Sequence, residues 1–92
     1  MKFKHKSTGA VITCIRWTGT DQSYGYIHNR LKKIGIECSD NFGSIVIKGN
    51  AKEKTTDLIV PTDSWIWFSN VDGKPVRSYT NAEINQKFEP LK

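Results

Sequence analysis

The side chains best suited to nucleophilic or metal chemistry in this chain are His5, His28, Cys14 and Cys38. A zinc site draws its ligands from Cys and His at short, paired spacings. Neither histidine has such a neighbour, so both read as surface residues and no metal is expected. Nucleophilic catalysis needs a thiol or hydroxyl beside a base that a third group orients. Cys14 can meet His28 only through the fold, and its place in an apolar strand argues for a buried, unreactive thiol. The two cysteines form no CxxC motif, and free thiols are preferred over a disulfide. Asp57 and Asp63 bracket a strand end and can converge as a carboxylate pair, without a spacing rule that requires it. Gly43 and Gly49 flank a strand instead of forming a phosphate loop, since no GxxxxGK[ST] occurs. The reading is therefore non-enzymatic, with no cofactor.

Recognition chemistry is better represented. In Trp65-Ile66-Trp67-Phe68 successive residues of a strand face opposite sides, so the two tryptophans share one face. If Ile66 and Phe68 point to the core, Trp65 and Trp67 line the other side and can stack bases or anchor a protein. The competing and preferred reading has both tryptophans in the core, with Ile66 and Phe68 on the other face covered by the C-terminal segment. A homodimer burying the tryptophan face satisfies both.

The charge is uneven. Of a net +5, residues 1–33 carry seven Lys or Arg against Asp21 alone, for +6, and residues 34–92 carry seven against eight acids, for −1. A basic surface for a polyanion or an acidic protein follows, built from Lys2, Lys4 and Lys6 on one strand and Arg30, Lys32 and Lys33 at a helix end. Arg77 joins Trp65, Trp67, Arg30, Lys32 and Lys33 as a binding candidate. The plainer explanation, which leads, is that alternating lysines protect an edge strand and that cations suit the carbonyl end of a helix.

The elements that must hold these residues are legible. Val11 to Trp17 is apolar on both alternations, which suits an inner strand covered on both faces. Thr20 or Asp21 can cap a helix over 22–34, whose Tyr24, Ile27, Leu31 and Ile34 make an amphipathic stripe facing a sheet that includes Ile12, Ile15, Ile45, Ile47, Leu58 and Val60. Gly35 suits a left-handed C-terminal cap closed by Ile36. Strands follow at 43–48 and 55–60, joined by a polar turn over 49–54. A hairpin pairs 64–69 with 74–79 through a two-residue type I′ turn at Asp72-Gly73, with Pro75 at a strand start or on an edge. Thr80-Asn81-Ala82-Glu83 fits a capping box, with Tyr79 and Ile84 as its hydrophobic staple, opening a short helix before a closing extended segment. The fold class is α+β: a single small domain over 1–92, mainly antiparallel sheet packed by one amphipathic helix, with a short second helix near the C-terminus. No apolar run is long enough to span a membrane, and no signal-peptide pattern opens the chain.

Three segments carry a resemblance: Val11-Ile12-Thr13-Cys14-Ile15-Arg16-Trp17-Thr18-Gly19, Pro61-Thr62-Asp63-Ser64-Trp65-Ile66, and Ile84-Asn85-Gln86-Lys87-Phe88-Glu89-Pro90-Leu91. Together the chain resembles a widespread family of small, uncharacterised proteins of tailed bacteriophages and prophages. It departs from that pattern at Thr62, where a turn glycine stands, at Ser64, which lengthens the spacing to the aromatic, and around 77–81, where a Cys-Lys-Pro-like segment is absent. The resemblance implies a phage origin and one α+β domain, and no activity. The function expected is that of a non-enzymatic phage accessory protein in the host cytoplasm. It would bind and neutralise or sequester a host factor, either a protein or a small nucleotide signal, in host takeover or anti-defence. The alternative is a nucleic-acid-binding protein that uses the basic N-terminal third and exposed tryptophans.

Overall fold

Strand β2 (Val11–Trp17) sets the architecture, because its two sides face two different cores. The computed structural model describes residues 1–49 and 56–91. Around β2 the remaining elements are β1 (Lys2–His5), α1 (Asp21–Lys32), β3 (Cys38–Asn41), β4 (Ser44–Ile47), β5 (Leu58–Val60), β6 (Ser64–Phe68), β7 (Pro75–Thr80), α2 (Asn81–Lys87) and β8 (Phe88–Pro90). A five-stranded antiparallel sheet runs β7-β6-β2-β1-β8, and a three-stranded antiparallel sheet runs β3-β4-β5. The expected α+β class is observed. The turn anticipated over 49–54 lies outside the described residues except for Gly49, as does Thr55 of the strand expected at 55–60, which begins instead at Leu58.

One face of the large sheet packs on α1 and the small sheet. Its core joins Trp17, Ile66 and Phe68 to Ile27 and Leu31 of α1 and to Ile45, Ile47 and Val60. Ile15, Tyr24, Leu58 and Ile36 pack at its margin. The opposite face packs under α2 and β8, where Phe3, Ile12, Cys14, Trp65, Tyr79, Ile84 and Phe88 form a second core. Ile12 was expected under α1, and it lies in this second core. Alternation puts it on the side of β2 opposite Ile15 and Trp17.

Helix α1 starts at the anticipated cap, where the Thr20 side chain accepts from the Ser23 amide. It ends earlier than the 22–34 reading. The Gly35 and Ile36 amides donate to Lys32 O and Leu31 O, a Schellman closure with Gly35 at φ +76. The chain therefore folds back so that Ile36, not Ile34, reaches the core, and Ile34 is left exposed.

The β6–β7 connection also differs from the type I′ turn expected at Asp72-Gly73. Gly73 alone of that pair has positive φ. A four-residue loop, 70–73, is closed by Ser69 N–H to Lys74 O and Gly73 N–H to Ser69 O. Local side chains favour the longer loop, since Ser69 Oγ accepts from Val71 N–H and Asp72 Oδ1 from Lys74 N–H. Asn70 Nδ2 also donates to Val11 O, tying the loop to β2. A bulge follows, since Trp67 pairs with Arg77 and Phe68 with Pro75, leaving Val76 extra. Pro75 opens the edge strand, as anticipated.

The capping box at Thr80 is complete. Glu83 N–H donates to Thr80 Oγ1 at 3.1 Å, and Thr80 N–H donates to Glu83 Oε1 at 3.0 Å. The Thr80 backbone bond holds the Glu83 carboxyl below its ordinary pKa. Tyr79 and Ile84 are both buried beside it. Thr80→Ala is expected to lower stability by roughly 1 kcal/mol, read as a shifted urea midpoint at unchanged slope. Coincident melts would remove the cap from the account.

Candidate binding surfaces

Three loops meet at one end of the molecule, and a carbonyl organises them. The turn between β3 and β4 is only Phe42-Gly43, flanked by the pair Asn41 and Ser44. With φ of 53° and 88° at its two positions it is a type I′ turn. Gly43 O accepts from the buried Trp17 indole Nε1 at 3.0 Å and from Thr62 Oγ1. Asp63 N–H in turn donates to Trp17 O at 2.8 Å, and Asp63 pairs with Arg16 at 3.6 Å. Gly19 completes the junction. It adopts φ +81, and a Cβ there would come within 2.9 Å of the Thr62 methyl. The Trp17-Thr18-Gly19 and Pro61-Thr62-Asp63 segments thus converge on Gly43.

What this junction presents is Phe42. It is 104% exposed, the most open large apolar side chain in the described structure. The first position of a type I′ turn suits Asn, Asp or Gly. An L-residue with a bulky side chain pays roughly 1–2 kcal/mol to sit in left-handed conformation. Phe42 therefore gains neither burial nor backbone comfort from its place. Sequence reasoning missed it. The available signal was the two-residue gap between Cys38–Asn41 and Ser44–Ile47, with an aromatic where turn chemistry wants a polar residue.

The tryptophan face is largely closed. Trp65 is buried under α2, its indole donating to Asn81 Oδ1 at 3.1 Å and its ring edge-on to Phe3 at 5.0 Å. The Arg16 guanidinium lies 5.7 Å from its centroid. Trp67 is half-buried and stacks on Tyr79, whose ring also carries the Arg77 guanidinium at 4.6 Å. The two tryptophans form no open platform, and the reading that uses both as exposed residues is corrected to this extent. The periodicity that placed them on one face was right, but the C-terminal α2 and β8 cover this face and not that of Ile66 and Phe68, which lies under α1 and the small sheet.

The basic candidates separate. Arg30 lies over the Phe68 ring at 4.7 Å, and with Tyr26, Asn29 and Lys33 it lines a shallow concavity of about 380 Å³ along α1. Lys32 points away from that side of the helix. Lys2 and Lys4 stand opposite Thr13 and Val11, on the same sheet face as α1. Lys6 instead donates from Nζ to Asn85 O at 2.9 Å, on α2.

The groups considered for catalysis are kept apart. Cys14 lies in the second core, whereas His28 stacks on Tyr24 of α1, across the sheet. Burial pushes the Cys14 thiol up to about 11. Both cysteines are free. His5 Nδ1 accepts from the amides of Ser7 and Thr8. Asp57 accepts from Gly49 N–H before β5, while Asp63 pairs with Arg16 after it. Among the described residues no three His, Cys, Asp or Glu side chains gather to hold a metal, and no helix is long and apolar enough to cross a membrane. No family model, curated protein or solved structure matches the chain.

Proposed function

We propose that this chain is a non-enzymatic bacteriophage accessory protein that binds and sequesters a host protein in the host cytoplasm, with Phe42 as its anchor. The carrying observation is a fully exposed aromatic held in left-handed conformation on a turn whose carbonyl is bound from both sides. Interface energy concentrates in a few aromatic or Arg side chains that fill pockets, and rigidity before binding reduces the entropy lost on docking. An aromatic on a braced two-residue turn has both properties. The phage assignment rests on the resemblance carried by the three sequence segments. A protein target is favoured over a nucleotide signal because the exposed features near Phe42 form a protruding tip, not an enclosing pocket.

Phe42→Asn separates this role from a structural one. Asn is favoured at this turn position and Phe42 buries nothing, so the variant is expected to gain roughly 1 kcal/mol of stability. In affinity capture from host lysate, the parent should retain a host protein in saturable, stoichiometric amounts and the variant should lose it. Retention by the variant would refute the anchor. A nucleotide as the co-purifying species would refute the protein target, and self-association abolished by the substitution would reassign Phe42 to a homodimer.

A further inference from the structure

A second surface, distant in the fold from Phe42, has its own chemistry. On the α1 side of the large sheet, Lys2, Thr13 and Phe68 occupy one row across β1, β2 and β6. Adjacent strands lie about 4.8 Å apart, so Lys2 stands roughly 10 Å from Phe68, with Thr13 between them. The Arg30 guanidinium covers Phe68 from above. Lys4 follows two residues along β1, on the same face and opposite the exposed Val11. Lys33 and Tyr26 continue this surface along α1, lining the same concavity as Arg30. The fold thus gathers four of the seven cations of residues 1–33 onto one side, where Glu89, opposite Lys4 on β8, is the acid placed among them by register. Among the described residues the one ion pair is Arg16–Asp63, so none of these four cations is neutralised by a carboxylate there.

Tyr26 decides which polyanion fits. It is 60% exposed and lies one turn from Arg30 and two from Lys33 along the helix. A solvent-facing ring bordered by cations offers a base both a stacking surface and a nearby charge for its phosphate. Duplex DNA hides its base faces and would use the cations alone, as would an acidic protein.

We propose that Lys2, Lys4, Tyr26, Arg30 and Lys33 form a binding site for single-stranded nucleic acid. The site is independent of the Phe42 anchor and of the buried Trp65. With four phosphates neutralised, the logarithm of the affinity falls with the logarithm of salt at a slope of about −2.8.

The test is fluorescence anisotropy of a short labelled oligothymidylate, and of a duplex of equal length, titrated with the full chain from low to physiological salt. The single strand should bind more tightly than the duplex. Tyr26→Ala should weaken it by roughly 5- to 150-fold, the range that loss of one base stack spans, and should leave duplex binding unchanged. Lys2→Gln, Lys4→Gln and Lys33→Gln together should reduce the salt slope to about −0.7, the share of one remaining cation. Arg30 is left in place in that variant because it covers Phe68, and thermal melts check that each variant is folded. Absence of single-strand binding at low salt, equal or tighter duplex binding, or a folded Tyr26→Ala protein that binds like the parent would each overturn the site. Phe42→Asn should bind the oligonucleotide like the parent, so failure of the anchor and failure of this site are distinguishable.

Discussion

Trp17→Ala is expected to destabilise the protein by about 3–5 kcal/mol, the cost of truncating a large buried aromatic. Trp17 is fully buried between the large sheet, α1 and the small sheet, and its indole donates to Gly43 O. A small domain has net stability of roughly 5–15 kcal/mol, so the variant should sit near the edge of folding. Trp17→Phe is the informative companion. It retains most of the apolar volume and removes the indole donor while Thr62 still serves Gly43 O. It should cost about 1 kcal/mol more than the shape change alone, the worth of one hydrogen bond. Urea melts read both. A Trp17→Ala protein within 1 kcal/mol of the parent would mean that the two sheets are not joined through this ring.

Trp65→Ala is expected to cost a similar 3–5 kcal/mol. Its ring fills the second core and its indole bonds Asn81 at the start of α2. Loss of partner capture in this variant would therefore report unfolding, not contact. Trp67→Ala, at a half-buried position, should cost about 1–1.5 kcal/mol in proportion to the area lost. Differential scanning calorimetry of the pair provides the comparison. If Trp65→Ala melts with the parent, the ring is not in a core and the tryptophan face is open after all.

The parts of the fold visible in the sequence are those whose signal is local. The two-sided apolar run of β2, the Thr20 and Thr80 caps and the Gly35 closure depend on residues within a few positions of one another, and the structure has all of them. Strand β3 was invisible because Cys38-Ser39-Asp40-Asn41 has no apolar alternation, and pairing with β4 holds it in place. The type I′ turn was sought at Asp72-Gly73, where the residues suit it, and it occurs at Phe42-Gly43, where they do not. At 72–73 the Ser69 and Asp72 side chains stabilise a longer loop, whereas at 42–43 long-range bonds from Trp17 and Thr62 impose the turn. The candidate sites follow the same division. Arg30 and Lys33 share a helix face by spacing alone, but the meeting of Lys2 and Lys4 with that face depends on strand order, as does the burial of Trp65.

Hydrogen–deuterium exchange of the chain, free and with the host protein proposed as its target, tests the proposed Phe42 anchor most directly. Protection is expected over residues 41–44, with a smaller effect over 18–20 and 61–63, the two segments that brace the turn. The amides of α1 and α2 should exchange as in the free protein. Protection confined to α1 and β1, or to α2 and β8, with residues 41–44 unchanged, would place the interface elsewhere and contradict the role assigned to Phe42.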